Sequence, residues 1–508
     1  MKHTYKKILC VLMVAVLSIS TFACANGGSD ETTKPVVYVP ATQPDYSDET
    51  TAPIYTRPGE DGEDSDISLE NPDGDTDVTD TPAPDDDDSG ASSTGGGSTT
   101  TESAGDDGDT FADGGVTSNM QGSAKELSWS NINTFSTDPS KLSTAQRRAL
   151  CVDFFRYAKT ALWTPDESIS YIKNAAGTAD SMTGDSLYGG LPYVGSASGN
   201  VYRLLDYVGA DGKVDMSDML GSTSGTLSTG DLKYFGNQCA NGCHVGWSRV
   251  INSVSGFATM RMTQNNGYIP VGSYTYDTTK IKSWKDADGY RTTDVVKYNG
   301  EQTMYESYAK LQIADGLVYY TTAGHVIMCA SEPHIEYIQG TKLIDGNKSY
   351  ITIIDQAQKW ETYTSGGKTY QVKSSVDAQV TFKKLFSSNY VPFTFAEFLG
   401  TDPVEATTYS FSHTGATASM SELFSGKVTS NYAVTDAYII VTDASGKEVY
   451  KHAVRNPSGW TKTVSMAESG ENVDTWGTLP ATGTYTVKVV AQLGTGQRPT
   501  VYTGTLAF

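Results

Sequence analysis

Cys239 and His325 stand apart from the other reactive residues of this chain by what surrounds them. Cys239 follows Tyr234-Phe235-Gly236-Asn237-Gln238, and about 85 residues later His325 sits between Ala323-Gly324 and the apolar run Val326-Ile327-Met328. The chain holds six cysteines and six histidines, so few other pairings compete. A thiol attacks well only as thiolate, a form favoured by a helix N-terminus and by a neighbouring imidazolium. Gly236-Asn237-Gln238 allows a tight approach to a helix starting at Cys239, and backbone N–H groups at that start could serve an oxyanion. His325 at the head of a strand supplies a base if that strand lies beside the helix. A third polar group should then orient the ring. Asp355, which ends Ile351-Thr352-Ile353-Ile354, and its neighbour Gln356 are the candidates. Such a set performs acyl transfer at an amide or ester.

Other readings of the same residues stay open at this level. Cys243, one helical turn after Cys239, is a rival nucleophile, and a disulfide from either one to Cys151 would make both structural. Cys151 and Cys329 are expected in the core. Cys239, Cys243, His244 and His325 could form a zinc set, because Cys-x-x-x-Cys-His puts two ligands on one helical face. No second closely spaced pair supports it, and neither metal nor other cofactor is expected. The chain has no Walker-type Gly-Lys-Ser/Thr and no stripe of Lys and Arg, so no nucleic-acid partner is expected.

The elements that must hold these residues can be read from periodicity. Gln238 to Val254 reads as one helix with Val245, Val250 and Val254 inward. Thr144 to Trp163 reads as another, with Leu150, Phe154, Phe155, Ala158 and Leu162 on one face. Arg147, Arg148, Arg156 and Lys159 fall mostly away from that face. Thr164-Pro165-Asp166-Glu167 should stop this helix and cap a further one, and Tyr202 to Val208 suggests a short helix. Strand signals follow at Leu317–Tyr320, His325–Ala330, Ile335–Gln339 and Tyr350–Ile354, with Asp345-Gly346-Asn347 as a turn. Helices first and consecutive strands after them predict an α+β domain with an antiparallel sheet over residues 126–400. Residues of about 255–310, rich in Tyr, Thr, Gly and Asp, read as an insertion near the site. From about Asp402 the texture changes to alternating strands at Thr407–Ser412, Ala437–Val441, Lys447–His452, Trp460–Ser465 and Tyr485–Ala491. No cysteine and no helix of note occur there, which predicts a small all-β sandwich over 402–508.

Three segments in order carry a resemblance. Gly190-Leu191-Pro192-Tyr193, Gly236-Asn237-Gln238-Cys239 and Gly324-His325-Val326 resemble the landmarks of the NlpC family of papain-like cell-wall peptidases, over residues of about 190–360. The resemblance implies a papain-like helix and antiparallel sheet. It further implies Cys239 as nucleophile, His325 as base, Asp355 as orienting residue and Tyr193 as a phenol lining the site. Gln356, beside Asp355, is expected at the substrate side. The implied substrate is the stem peptide of peptidoglycan or another cell-wall peptide. The C-terminal module resembles bacterial immunoglobulin-like or fibronectin-like domains.

The N-terminal quarter is of a different kind. Lys2, Lys6 and Lys7 precede the apolar stretch Ile8–Ile19, and Ser20-Thr21-Phe22-Ala23-Cys24 supplies small residues for cleavage, so residues 1–24 read as a signal peptide. Cys24 after Ala23 resembles a lipoprotein site, and lipid anchoring is the leading expectation over free secretion. Residues 25–125 read as a long disordered acidic tether. Positions 26–124 hold 24 acids against only Lys34 and Arg57, which equals the net charge of −22 of the whole chain. The acidity therefore belongs to the tether and says nothing about the substrate of the folded part. The expected protein is an extracellular monomer, held to a bacterial membrane through a lipid anchor only. Two rival functions remain: a non-catalytic surface protein binding a wall glycan or peptide through Trp247, Tyr268, Tyr274 and Tyr276, and an acyltransferase on the same triad.

Overall fold

The computed structural model describes residues 117–118, 124–195, 197–254, 266–275, 291–321, 324–400, 404–415, 419–456 and 461–508. The signal segment with Cys24, nearly all of the tether, Ala323, Tyr276, Trp460 and parts of the 255–310 segment lie outside the described residues. The fold is mixed helix and sheet, as the α+β pattern predicts.

Helix α1 (Thr144–Thr160) opens on a capping box in which Ser143 and Gln146 exchange side-chain and backbone hydrogen bonds. Leu150, Phe154, Phe155 and Ala158 are buried, as its apolar stripe requires. Its basic residues depart from expectation. Arg147, Arg148 and Lys159 are buried too, because α1 is covered on both sides and has little solvent face. Arg148 extends to Asp315 Oδ1 at 2.7 Å and lies over the Phe398 ring. The helix ends at Thr160, and Leu162–Trp163 is already a strand. No helix follows Pro165: Ile169–Ile172 forms a strand paired with Ala179–Met182. The Tyr202 region forms a 3-10 helix over Val201–Tyr207.

Helix α2 (Cys239–Trp247) is nine residues long and packs against α1. It begins where expected and ends one full turn after Cys243, well short of Val254. Ser248 caps it, and the chain then turns to place Val250 in the core.

Helix α3 (Thr292–Tyr308) is broken at Gly300, whose φ of 75° leaves the helical region. It buries Val295, Val296, Met304 and Tyr308, so this part of the 255–310 segment contributes to the core.

Five strands carry the central sheet: β1 (Gly316–Tyr320), β2 (Gly324–Cys329), β3 (Tyr350–Ile354), β4 (Val376–Thr381) and β5 (Val391–Thr394). Their order is β4-β3-β2-β1-β5, extended at the two edges by Thr117–Ser118 and Ile269–Pro270, and every pairing is antiparallel. All six residues of β2 are buried, as befits a central strand covered on both faces. Ile335–Gln339 is not a strand. Isolated bridges join His334 to Tyr350 and Tyr337 to Ile344, and Tyr337 and Ile338 remain exposed.

From Val404 onward the described residues form two antiparallel sheets. Tyr409–Ser412, Lys427–Ser430 and Thr463–Ser465 make one. Val473–Gly477, Glu448–Arg455, Val434–Thr442, Thr484–Leu493 and Thr500–Ala507, in that spatial order, make the other. Val428, Val434, Ile439, Val454, Val487 and Val489 fill a core shared by both sheets. A short helix at Met420–Ser425 is an addition that the alternating pattern does not announce.

This module is joined to the preceding domain through buried charge. Arg203 Nε meets Asp436 Oδ1 at 2.9 Å, Arg455 Nη2 meets Asp206 Oδ2 at 2.9 Å, and Lys451 Nζ reaches Asp206 Oδ1 at 3.1 Å. The Tyr202 and Thr435 hydroxyls bond to each other, and Tyr234 Oη donates to Asn472 Oδ1 at 2.5 Å.

Candidate active site

The chain enters α2 through a clamp. Asn237 N–H donates to the Pro192 carbonyl at 3.1 Å, and Val194 N–H donates to the Asn237 carbonyl at 3.1 Å. Residues 192–194 therefore run directly beside 236–237. Gly236 is required for this approach, because a Cβ there would overlap the Val194 side chain. Gln238 then takes extended backbone angles (φ −98°, ψ 175°) as the N-cap, and its carbonyl accepts the first helical bond, from Gly242 N–H at 2.7 Å. Cys239 is thus the first helical residue, where backbone N–H groups have no helical partner and the dipole favours an anion.

Helix α2 lies alongside β2 in a definite register. Cys239 Sγ is 3.9 Å from the Gly324 carbonyl oxygen, and Cys243 Sγ is 3.6 Å from the Val326 carbonyl oxygen. Four helical residues advance about 6 Å and two strand residues about 6.6 Å, so both contacts are made by elements running in the same direction. His325 lies between these two strand contacts, at the level of the first turn of α2. The helix that starts at Cys239 and the strand that carries His325 are therefore direct neighbours.

The third member is Asp355. Its Oδ2 is 3.1 Å from His325 Nε2, and its Oδ1 accepts the Ser375 N–H at 2.8 Å. Asp355 N–H in turn donates to the Ser375 carbonyl at 3.0 Å, so the carboxylate is fixed from both its backbone and its side chain. Between the two orienting candidates the geometry selects Asp355 as the partner of His325. Gln356 points elsewhere. Its Nε2 donates to the Leu191 and Lys373 carbonyls, at 3.2 and 2.9 Å, while its Oε1 accepts from Lys159. Gln356 is fully buried and its amide is committed on both sides, so it is a strut rather than a group presented to substrate.

Tyr193 is buried beside the clamp, its backbone bridged to Asn237, and its hydroxyl has no hydrogen-bond partner. Cys239 is 3% and His325 1% exposed. All four of the described cysteines, Cys151, Cys239, Cys243 and Cys329, are free thiols, so the disulfide alternative is removed. Burial raises the Cys243 thiol well above its ordinary pKa, against the pull of Lys159, and burial likewise raises Cys151 and Cys329. These three are core thiols. Among the described residues no group of three or more His, Cys, Asp and Glu is placed to hold a metal ion. The aromatic set considered for surface binding is also internal. Trp247, Tyr268 and Tyr274 are buried, the first two packed on Phe393 and Phe395.

One residue of this neighbourhood escaped the sequence reading. Lys159, near the end of α1, is 1% exposed, and its amine bonds to Asn237 Oδ1 at 3.2 Å and to Gln356 Oε1. Burial pushes it down to about 7, opposed by the negative charge of Cys243, Asp355 and Cys239. A lysine on the nominally polar side of a helix carries no signal of this kind.

No family model matches the chain, and neither does any curated protein or solved structure.

Proposed function

We propose that this chain is a cysteine hydrolase that cleaves amide bonds, with Cys239 as nucleophile. The observation that carries the reading is the buried His325–Asp355 pair, 3.1 Å apart, held at the level of the helix turn that begins with Cys239. Asp355 fixes the ring through Nε2, and Nδ1 takes the thiol proton. The thiolate attacks the carbonyl carbon, backbone N–H groups at the start of α2 stabilise the oxyanion, and the imidazolium returns the proton to the leaving amine. Water then hydrolyses the thioester. The order of the Gly-Leu-Pro-Tyr, Gln-Cys and Gly-His-Val segments supports a papain-like body and a peptidoglycan stem peptide as substrate. A secreted, lipid-anchored location agrees with such a substrate.

The burial of Cys239 favours the rival, a non-catalytic surface-binding protein. Alkylation of the intact protein across pH, beside Cys239→Ala, separates the two. Fast single-site reaction persisting below about pH 7 and lost in Cys239→Ala supports the nucleophile. Reaction rising only near the ordinary thiol pKa gives the lead to binding. With peptidoglycan fragments, Cys239→Ala abolishes cleavage, and Asp355→Ala lowers kcat/KM by roughly 10²- to 10⁴-fold. An added amine acceptor that captures the acyl group would redirect the reading to an acyltransferase.

A further inference from the structure

The three elements that assemble the thiol site meet at one amine. Lys159 projects from α1 into the seam between the start of α2 and the end of β3. It bonds to Asn237, two residues before Cys239, and to Gln356, the residue after Asp355. The seam is shaped for it. A Cβ on Gly242 would lie 3.0 Å from Lys159 Nζ, 3.0 Å from Gln356 Cβ and 3.3 Å from Asn237 Oδ1. Any side chain at position 242 would press on all three, so the absence of one lets the amine lie against the first turn of α2. The Phe155 ring forms a further wall, 5.2 Å from the nitrogen.

We propose that Lys159 is a positioning residue of the thiol site, which ties Asn237 to Gln356 and supplies a buried positive charge that holds Cys239 in the anionic form. The inference rests on the cysteine-hydrolase reading. Its chemistry is general: a cation within a sealed, low-dielectric seam stabilises a nearby thiolate, and the thiolate stabilises the cation in return. The titratable groups whose charge acts on the amine are, largest first, Cys243 from α2, Asp355 from the end of β3 and Cys239 from α2. Burial holds the Cys243 thiol well above its ordinary pKa, and Asp355 is committed to His325 and Ser375. Cys239, at the helix start, is the group whose charge the amine can govern. The ammonium and His325 would then act from different sides: one sets the ionisation, the other moves the proton.

The test compares alkylation rate against pH for the wild type, Lys159→Met and Lys159→Gln, with thermal unfolding run on each as a check of folding. Lys159→Gln keeps a hydrogen-bonding head without the charge. Both variants should move the alkylation midpoint up by about one unit, a roughly tenfold slower reaction below pH 7. A folded Lys159→Gln with the wild-type profile would overturn the proposal. A second measurement leaves Lys159 in place. With ¹³Cε-labelled lysine, the Lys159 resonance is titrated in the wild type and in Cys239→Ala. Loss of the thiolate should lower the amine midpoint by about half a unit or more, since coupling is reciprocal. An unchanged midpoint would overturn the proposal even if both lysine variants failed to fold. A wild-type thiol that reacts only near its ordinary pKa would remove the hydrolase reading and this one together. A reactive Cys239 with an indifferent lysine would remove this one alone.

Discussion

Two of the buried charged groups among the described residues, the junction cluster and Lys159, are stabilised in opposite ways. At the junction with the C-terminal sandwich, Arg203 and Arg455 face Asp206 and Asp436. Burial there would lower the two guanidinium groups, but Asp436 beside Arg203, and Tyr438, Asp206 and Asp436 beside Arg455, hold both above their ordinary values. Burial would likewise raise Asp206, yet Arg455 and Lys451 hold it low. Each charge is answered by another. Beneath α2, Lys159 is hydrogen-bonded to the amide oxygens of Asn237 and Gln356, and burial brings it down to about 7. Matched charges make a joint; a charge held by neutral amides makes a group whose state can change.

The largest effect is expected from removing the shared acid of the joint. Asp436→Asn leaves Arg203 and Arg455 without one of their carboxylates in a fully buried setting. A loss of about 3–5 kcal/mol is expected in urea unfolding at pH 7, changing little between pH 6 and 9. An equal loss from Lys159→Met, equally flat with pH, would erase the distinction drawn between the clusters.

The lysine gives the next largest effect, and its sign is opposite. Between about 7 and 10.5 the unfolded chain binds a proton at Lys159 that the folded chain does not, so folded stability rises with pH across that window. Below 7 the amine is charged in both states and its desolvation cost is borne in full. Lys159→Met lacks this dependence. Its stability relative to wild type should therefore be most favourable near pH 6.5 and decline by about 3 kcal/mol by pH 9.5. Urea midpoints of both proteins at the two pH values measure it. The smallest effect belongs to the rim of the joint. Lys233 pairs with Glu471 at 2.8 Å, but Glu471 is largely exposed, so Lys233→Ala should cost less than about 1 kcal/mol and less still in high salt.

What the sequence made legible follows from which signals survive burial on two sides. The start of α2 was readable, because Gly236-Asn237-Gln238 has a local reason to precede a helix. Its end was not, because Gly246, Trp247 and Val250 are apolar or small whether the chain is helical or turning. The inward stripe of α1 was readable from Leu150, Phe154 and Phe155. Arg147, Arg148 and Lys159 fall away from that stripe yet are buried, since the helical wheel assumes a solvent face that α1 lacks. Helix α3 was hidden by its Thr, Tyr and Asn content and by the break at Gly300. Ile335–Gln339 alternated like a strand but has only isolated bridges to neighbours. At the site, Asp355 and Gln356 could not be separated by type. The register that turns one toward His325 and the other toward Lys159 is set by residues far away in sequence, among them Ser375 and Leu191.

The charged joint also bears on how such a chain can be inherited. A sandwich joined by a loose linker can be exchanged for another by splicing at the boundary. Here a cut near residue 400 would leave Arg203 and Asp206 facing a newcomer without Asp436, Arg455 and Lys451 to meet them. The two halves form one unit of recombination, and a replacement module is tolerated only if it brings its own matching charges.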